Sequence, residues 1–519
     1  LISEQVINNL PDVEEWYESH FLKKNNFLNW KENIIALHKT KDSQNNLSRT
    51  YKRLVFDEIF ANFLVLSENR KKIKKKKKNK FFKSIMFNEI LKDLPFKLTK
   101  SQKDVLEEIS LDLRSNTRMF RIIQGDVGSG KTIVALLSIV NVVENKQQCA
   151  LMAPTEILAK QHFDLAKKMF VNTKMKIGFL TGKTEIKKRK KIINDLENGK
   201  LDFIIGTHSL FQKKINFKNL GLAVIDEQHK FGVRQRSELA KKGGNNCDVL
   251  LMSATPIPRT MVMSLYGDMD ISKITEKPAK RKKIITLSKP EKKINELWLF
   301  IKKQVNAGNQ VFWVCPLIKE SSFLDYSSAK KKFDIINKKF PNKVGLIHGA
   351  LDKIEKEKVL NKFLKKEIFI LVSTTVIEVG IDFPNANLII IENANKFGLA
   401  QLHQLRGRVG RGDKQGLCIL LFKDGLSKNA IKRIKTLKES DDGFYIAEED
   451  MRLRGFGDII GYQQSGIKNF RFADPVVHED LFVLAEKYVK NINIDVNESK
   501  YAFLLKLFDK AEIINQNID

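Results

Sequence analysis

Cysteine is scarce in this chain, acid is outnumbered by base, and long apolar runs are missing. The cysteines, Cys149, Cys247, Cys315 and Cys418, stand far apart with no paired spacing. That argues against a disulfide scaffold and against a cysteine-built metal site. Cys149, Cys315 and Cys418 fall in apolar, strand-like runs and read as small buried side chains in a reducing cytosol. No apolar run approaches the roughly 20 residues of a membrane span, so no membrane partner is expected. The first residues, Leu1-Ile2-Ser3-Glu4-Gln5, carry neither an initiator Met nor a signal-peptide pattern. The expectation is a fragment of a longer chain, cut on its N-terminal side.

The deficit of acid leaves 61 Asp and Glu against 92 Lys and Arg, a net charge of +31 over 519 residues. Such a surplus fits a polyanionic partner. It equally fits a chain rich in Lys, Asn, Ile and Phe throughout, so charge alone does not decide. A hydrophobic fraction of 42% is enough for sizeable cores, and a length prior of about 150 residues per domain suggests three or four of them.

The most specific stretch is Gly125-Asp126-Val127-Gly128-Ser129-Gly130-Lys131-Thr132, which fits the phosphate-cradling pattern G-x-x-x-x-G-K-[ST]. Met119–Ile123 before it reads as a short buried strand, and Ile133–Leu137 after it opens an apolar-faced helix. In that arrangement backbone N–H groups and a helix N-terminus point at one anion. Lys131 adds a positive charge, and the Thr132 hydroxyl can reach a magnesium ion (Mg2+).

Before the loop, residues 1–90 show no nameable chemistry. Tyr51–Leu64 is an amphipathic helix, with Leu54, Val55, Ile59, Phe60, Phe63 and Leu64 near helical spacing, and is expected to pack on a neighbouring domain. The run Lys71–Lys78 reads by default as a solvated, self-repelling segment. Pro95 ends one helix and Thr99 can cap the next. Gln102, upstream of the loop, carries an amide that is donor and acceptor at once, as an adenine edge requires.

Beyond the loop, strand and helix alternate, the signature of a parallel sheet covered on both faces. Polar motifs recur where strands end: Ala153-Pro154-Thr155-Glu156, Gly206-Thr207-His208, Asp226-Glu227-Gln228-His229 and Ser253-Ala254-Thr255. Ligands of open α/β sheets bind along that edge. Asp226 can hold magnesium directly or through water, and Glu227 is placed to take a proton from an attacking water. Ser253 and Thr255 can hydrogen-bond across the mouth of such a site, and His229 reads as a partner within it. Near residue 275 the pattern pauses, and Lys277–Lys283 reads as a linker. Alternation then resumes through Val311–Cys315, Val344–Gly349, Ile368–Val372, Leu388–Ile391 and Leu417–Phe422, without a second phosphate loop. That half carries Ser373–Asp382 and the string Gln404–Gly412, in which Arg406, Arg408 and Arg411 stand beside glycines. Guanidinium forks of this kind grip phosphate oxygens and stabilise charge in phosphoryl transfer.

Together these motifs resemble those of superfamily 2 helicases, from Gln102 and Gly125–Thr132 through Thr181-Gly182-Lys183 and Asp226–His229 to Gln404–Arg411. Within them, Asp226–Arg236, Ala254–Thr260, Thr374–Asp382 and Gly398–Arg408 are similar to the RecG family of ATP-dependent DNA helicases nearly residue for residue. Ser440–Phe444, Asp450–Gly457 and Gly461–Gly466 resemble the helical-hairpin and loop element that the family shares with the transcription-repair coupling factor. The pattern departs at Phe456, where the family usually has proline, and at Gln463, where it usually has arginine.

The resemblance implies an α/β chain with two RecA-like parallel-sheet domains in tandem, a helical N-terminal segment and a C-terminal helical-hairpin translocation element. The implied ranges are 1–90 (joining a missing wedge domain), 91–276, 284–425 and 426–519. It implies ATP and magnesium as cofactors, with Gln102, Gly125, Asp126, Val127, Gly128, Ser129, Gly130, Lys131, Thr132, Gly380 and Asp382 on the nucleotide. Thr132 and Asp226 would hold the metal, with Lys131, Asp226, Glu227, Arg408 and Arg411 catalytic. DNA contact and coupling would fall to Pro154, Thr155, Gly182, Thr207, Ser253, Thr255, Gly349, Thr374, Arg454 and Gln464. The implied partners are branched double-stranded DNA (forks and Holliday junctions) and a single-stranded DNA-binding protein, the chain acting as a monomer in the bacterial cytoplasm near the nucleoid. The motor of a coupling factor, an RNA helicase and a nucleic-acid-binding scaffold with a dead nucleotide fold stand as alternatives.

Overall fold

The computed structural model of the chain describes residues 7, 9–38, 44–74, 77, 80, 83–212, 214–227, 242–254, 256, 269–278, 281–316, 322–374, 382–412, 414–454, 470–492, 495 and 498–510. The chain divides into two compact units. One joins Leu1–Lys75, Ile257–Met269 and Met451–Asp519, and the other joins Lys76–Pro256 and Asp270–Asp450. Towards the two ends of the chain the units part at 75/76 and at 450/451. Both ends of the chain share one unit because their apolar faces bury against each other.

The larger unit holds two all-parallel sheets. The first contains β1 (Phe120–Gly125), β2 (Gln148–Met152), β3 (Ile177–Leu180), β4 (Phe203–Gly206), β5 (Leu220–Ile225), β6 (Asp248–Ser253) and β7 (Asp270–Ile274) in the order β3-β4-β2-β5-β6-β1-β7. The second contains β8 (Ile285–Pro290), β9 (Gln310–Val314), β10 (Val344–Ile347), β11 (Ile370–Ser373), β12 (Ala386–Ile391) and β13 (Leu417–Phe422) in the order β10-β11-β9-β12-β13-β8. Central strands such as β2, β5, β6 and β12 are buried at every position. That is why the sequence there reads as continuous apolar runs instead of alternation.

Parallel pairing puts all strand ends of one sheet on the same edge. β1 pairs with β6 in the register Gln124↔Ser253, and β6 with β5 in the register Leu251↔Ile225. The loop after β1, Ser253 and the acids after β5 therefore line up along one edge, the outer two about 10 Å apart at the usual strand spacing. The amino edge is closed differently. Asp248, fully buried at the start of β6, accepts from Lys77 and Lys80. Lys77 thus departs from the default reading of Lys71–Lys78 as a solvated segment.

The smaller unit is organised by α1 (Gln44–Ile73). Val55, Phe56, Ile59, Phe60, Phe63 and Leu64 form its buried stripe, as the helical spacing requires. They pack with Trp16, Tyr17, Phe21, Trp30, Phe482, Tyr501 and Leu504 in one aromatic-rich core. Arg53, on the same helix, bonds Asp57 at 2.9 Å, Glu15 at 2.9 Å and the Leu28 carbonyl at 2.7 Å. Glu58 accepts the backbone N–H groups of Arg471, Phe472 and Ala473, which fastens the C-terminal segment to α1. Among the described residues no helix is long and apolar enough to cross a membrane.

Candidate active site

The glycine loop turns out of β1 into α3 (Lys131–Val143), while α2 (Lys100–Arg114) flanks it. Gly128 and Gly130 have φ of 77° and 89°, a left-handed backbone that side chains disfavour. The space beside them is also taken. A β-carbon on Gly128 would collide with Arg281, and one on Gly130 with the Gln102 amide. Lys131 is buried and donates to the carbonyls of Gly125 at 2.7 Å and Asp126 at 2.9 Å. Burial pushes its ammonium below the ordinary lysine range, against the pull of Glu227, Asp226 and Asp126. Gln102 accepts the Thr99 N–H at 2.9 Å as the capping-box residue of α2 and donates to the Ser129 carbonyl at 2.7 Å. Its amide thus braces the loop, and reading an adenine edge requires it to exchange a partner.

On α4 (Glu156–Met169), His162 places Nε2 2.8 Å from Asp226 Oδ2, while Asp226 Oδ1 accepts the Glu227 N–H at 2.9 Å. Glu227 has φ of 50°, a costly conformation for a non-glycine residue. Its carboxyl is pushed up to about 7, first by burial and then by Asp226, and is opposed by Lys131, Arg408 and the Ala254 N–H. A buried carboxyl titrating near neutrality suits a general base.

The second sheet supplies the cations. After α5 (Lys353–Leu364) comes α6 (Leu399–Arg406), which ends at Gly407 and delivers Arg408 and Arg411. Arg408 is buried, and its Nη1 has no hydrogen-bond partner among the described residues. Burial, and then Arg411, lower its guanidinium to about 9, against Glu227 and Asp382. Arg411 bonds Asp382 Oδ1 at 3.4 Å and the Gly407 carbonyl at 3.3 Å. Burial also lowers its guanidinium.

Contacts tie the two sheets together. Asp382 exchanges backbone bonds with the Gln161 amide at 3.0 and 3.2 Å. Asp126 Oδ1 meets His403 Nε2 at 2.7 Å and Asp126 Oδ2 meets Lys277 Nζ at 2.8 Å. Arg281 donates to the carbonyls of Val127 and Gly407. Lys277 and Arg281, in the run expected to be a linker, are thus part of the site. His162, Gln161 and His403 carry no motif signal by themselves. His403 does lie inside the Gly398–Arg408 string that the sequence singles out.

The expected DNA-contact positions separate into two groups. Gly182 and Gly349 are exposed, and Pro154 and Thr155 are half-buried, with the Thr155 hydroxyl capping α4 by accepting the Leu158 N–H at 3.3 Å. Thr207, Ser253 and Thr374 are buried at strand ends. The hydroxyls of Thr207 and Thr374 have no hydrogen-bond partner among the described residues and are not on the surface. Arg454 is exposed at the end of the helix Gly443–Arg454. Thr255, Gly380 and Gln464, with His229, Phe456 and Gln463, lie outside the described residues.

Known proteins share this layout. Residues 99–263 match the DEAD/DEAH box helicase family and residues 290–413 the helicase conserved C-terminal domain. The ATP-dependent DNA helicase RecG of Aquifex aeolicus is 41% identical over 531 residues, covering 99% of this chain and 66% of its own length. That of Pasteurella multocida is 38% identical over 469 residues, covering 89% of this chain and 67% of its own. The chain belongs to the RecG family. A solved RecG, bound to a three-way DNA junction, superposes with a TM-score of 0.75 at 39% identity, over 93% of this chain and 64% of that one. The two parallel-sheet, RecA-like domains in tandem are thus the RecG-family arrangement. The chain spans just under two thirds of the Aquifex RecG.

Proposed function

We propose that the chain is the motor portion of an ATP-dependent DNA helicase that acts on branched DNA, regressing stalled forks and migrating Holliday junctions. The observation that carries the reading is the meeting, within one compact unit, of Lys131, Glu227 and a buried Arg408 that belong to different sheets. The similar proteins are named as DNA helicases, and one of them holds a three-way junction.

Nucleotide fits the residues present. The loop offers backbone N–H groups around two left-handed glycines, and Arg408 carries a buried cation whose Nη1 awaits an anion. Among the described residues no three His, Cys, Asp or Glu side chains cluster as a metal cage. A magnesium ion arriving with phosphates needs no such cage; it takes one carboxylate and one hydroxyl, here Asp226 and Thr132, with waters. Bound there, it would neutralise phosphate charge. Lys131 holds phosphate oxygens, His162 fixes the orientation of Asp226, and Glu227 removes a proton from the attacking water. Arg408 and Arg411 stabilise the charge that develops in transfer. Closing and opening of the two sheets would then move DNA past the exposed Gly182 and Gly349 loops, with Arg454 and Gln464 coupling the cycle to the duplex. Contacts of this kind go to the sugar-phosphate backbone, so binding would ignore sequence and weaken steeply with salt.

ATP hydrolysis by the whole chain, with and without a three-way DNA junction, tests the reading. Junction-stimulated turnover that Lys131→Ala abolishes without lowering the melting temperature supports it. Turnover that persists in Lys131→Ala, or a wild-type chain indifferent to the junction, refutes it.

A further inference from the structure

One arrangement in the larger unit has no role in the chemistry just described. His403 faces Arg406 one helical turn on, with its Nδ1 2.8 Å from Arg406 Nη2. A guanidinium has only donors, so Nδ1 must accept. The ring proton therefore sits on Nε2, which donates to Asp126 Oδ1 at 2.7 Å. The same oxygen accepts the Val127 N–H at 2.7 Å, so the imidazole holds the phosphate loop's own turn. The direction of the bonds is fixed along the row from Arg406 to His403 to Asp126.

Both ends of that row are anchored. Arg406, 2% exposed, donates through Nη1 to the carbonyls of Leu437 at 2.5 Å and Ser440 at 2.9 Å, and lies 3.1 Å from Asp441 Oδ1. These residues form the end of α7 (Lys428–Glu439) and its turn into α8 (Gly443–Arg454). Lys277 closes a ring by donating to Asp126 Oδ2 at 2.8 Å and to the Asp441 carbonyl at 2.9 Å. Gly443, the first residue of α8, lies over the centre. A β-carbon there would stand 2.9 Å from His403 Nε2 and 3.3 Å from Asp126 Cγ. Further along α8, Asp450 Oδ1 accepts the Leu399 N–H at 2.8 Å and so caps the helix that carries His403.

We propose that His403 is a positioning residue that links the phosphate loop, through Asp126, to the α7–α8 turn, through Arg406, so that nucleotide-driven movement of the loop is transmitted to α8. This rests on the ATPase reading and adds a route by which the site reaches the helix that ends at Arg454. The link needs a donor facing Asp126 and an acceptor facing Arg406. A glutamine amide supplies both near the positions of Nε2 and Nδ1, and leucine supplies neither.

The experiment compares the whole wild-type chain with His403→Leu, His403→Gln and Arg406→Lys, measuring kcat and KM for ATP with and without a three-way DNA junction. The expected result is a roughly tenfold loss of junction-stimulated kcat in His403→Leu with KM for ATP changed less than about threefold. His403→Gln should recover most of the stimulation. Arg406→Lys, which keeps the charge and loses the fork, should resemble His403→Leu. Stimulation retained in His403→Leu, or a His403→Gln as impaired as His403→Leu at equal melting temperature, overturns the link. If His403→Leu does not fold, Arg406→Lys decides, and normal stimulation in it overturns the link. A wild-type chain without junction-stimulated turnover removes the ATPase reading itself, whereas stimulated turnover that His403 does not influence removes only this inference.

Discussion

The carboxylate of Asp248 and the ammonium of Lys77 meet at 2.7 Å with neither side chain exposed. Lys80 bonds the other carboxylate oxygen, and the Met119 N–H donates to Oδ1 at 2.7 Å. A single acid at the start of β6 thus holds two members of a lysine-rich segment against the amino edge of the first sheet. Asp248→Ala would leave two buried ammonium groups without a counter-charge. Loss of one partner of a buried pair costs about 3–5 kcal/mol, so the melting temperature should fall steeply. Lys71→Ala, in a half-exposed pair with Glu68, should change stability by less than about 0.5 kcal/mol. Thermal unfolding of both variants checks the contrast, and equal shifts would show that the Asp248 cluster does not hold the segment.

Glu227 gives a pH-dependent prediction of opposite character. Its folded pKa of about 7 lies above its ordinary 4.5. Between those values the folded state binds more protons than the unfolded state, so this group's contribution to stability falls as pH rises through the window. Well above pH 7 the folded protein carries the full cost of a buried carboxylate, on the order of 3 kcal/mol. Glu227→Gln removes that cost. The variant should unfold at higher denaturant than wild type at pH 8, and the gap should close by about pH 4.5. The same variant should lose ATP turnover by roughly a thousandfold. A variant no more stable at pH 8 than at pH 5, relative to wild type, would contradict the raised pKa.

Arg408 carries a comparable cost from the cationic side. Its guanidinium is buried and lowered to about 9, with Nη1 unpartnered among the described residues. Arg408→Met keeps much of the volume and removes the charge. Its melting temperature should equal or exceed that of wild type, while turnover falls by about 10³-fold because the charge developing in phosphoryl transfer loses its partner. A variant that is less stable and still active would show that Arg408 packs the domain and does not serve the reaction.

The residues in these two predictions were legible in the sequence because phosphate chemistry restricts what can occupy their positions. Gly125–Thr132 and Asp226-Glu227 stand out by residue type and spacing, whereas Arg408 was one of three arginines in a string until the helicase resemblance set it and Arg411 apart. The central strands were legible for another reason, since burial on both faces leaves them only apolar residues. Strands β3, β7 and β8 escaped notice because each lies at a sheet edge and alternates between covered and open positions. Lys277 and His403 escaped for a third reason. Each was named only as a member of a longer run, Lys277–Lys283 or Gly398–Arg408, and what gives His403 a role is a carboxylate 277 positions away in the chain. The stripe on α1 was visible in its spacing, but its partners at the opposite end of the chain were not.

The last prediction concerns the face expected to meet DNA. Lys183, in the exposed loop beside Gly182, pairs with Glu357 on α5 of the second sheet, and Lys356 of the same helix donates to the exposed Gly349 carbonyl at 2.9 Å. The pair bridges the two loops proposed to follow the sugar-phosphate backbone. A phosphate approaching Lys183 competes with Glu357 for it and meets the repulsion of that carboxylate. Glu357→Gln removes the competitor and should tighten binding to a three-way junction severalfold at low salt, with little effect at high salt, where such charges are screened. Lys183→Ala should weaken binding across unrelated sequences and reduce the slope of log affinity against log salt by about 1. Fluorescence anisotropy across a salt series reads both. Weaker binding in Glu357→Gln would place the DNA elsewhere, because removing a carboxylate from a surface that meets phosphate cannot lower its affinity for a polyanion.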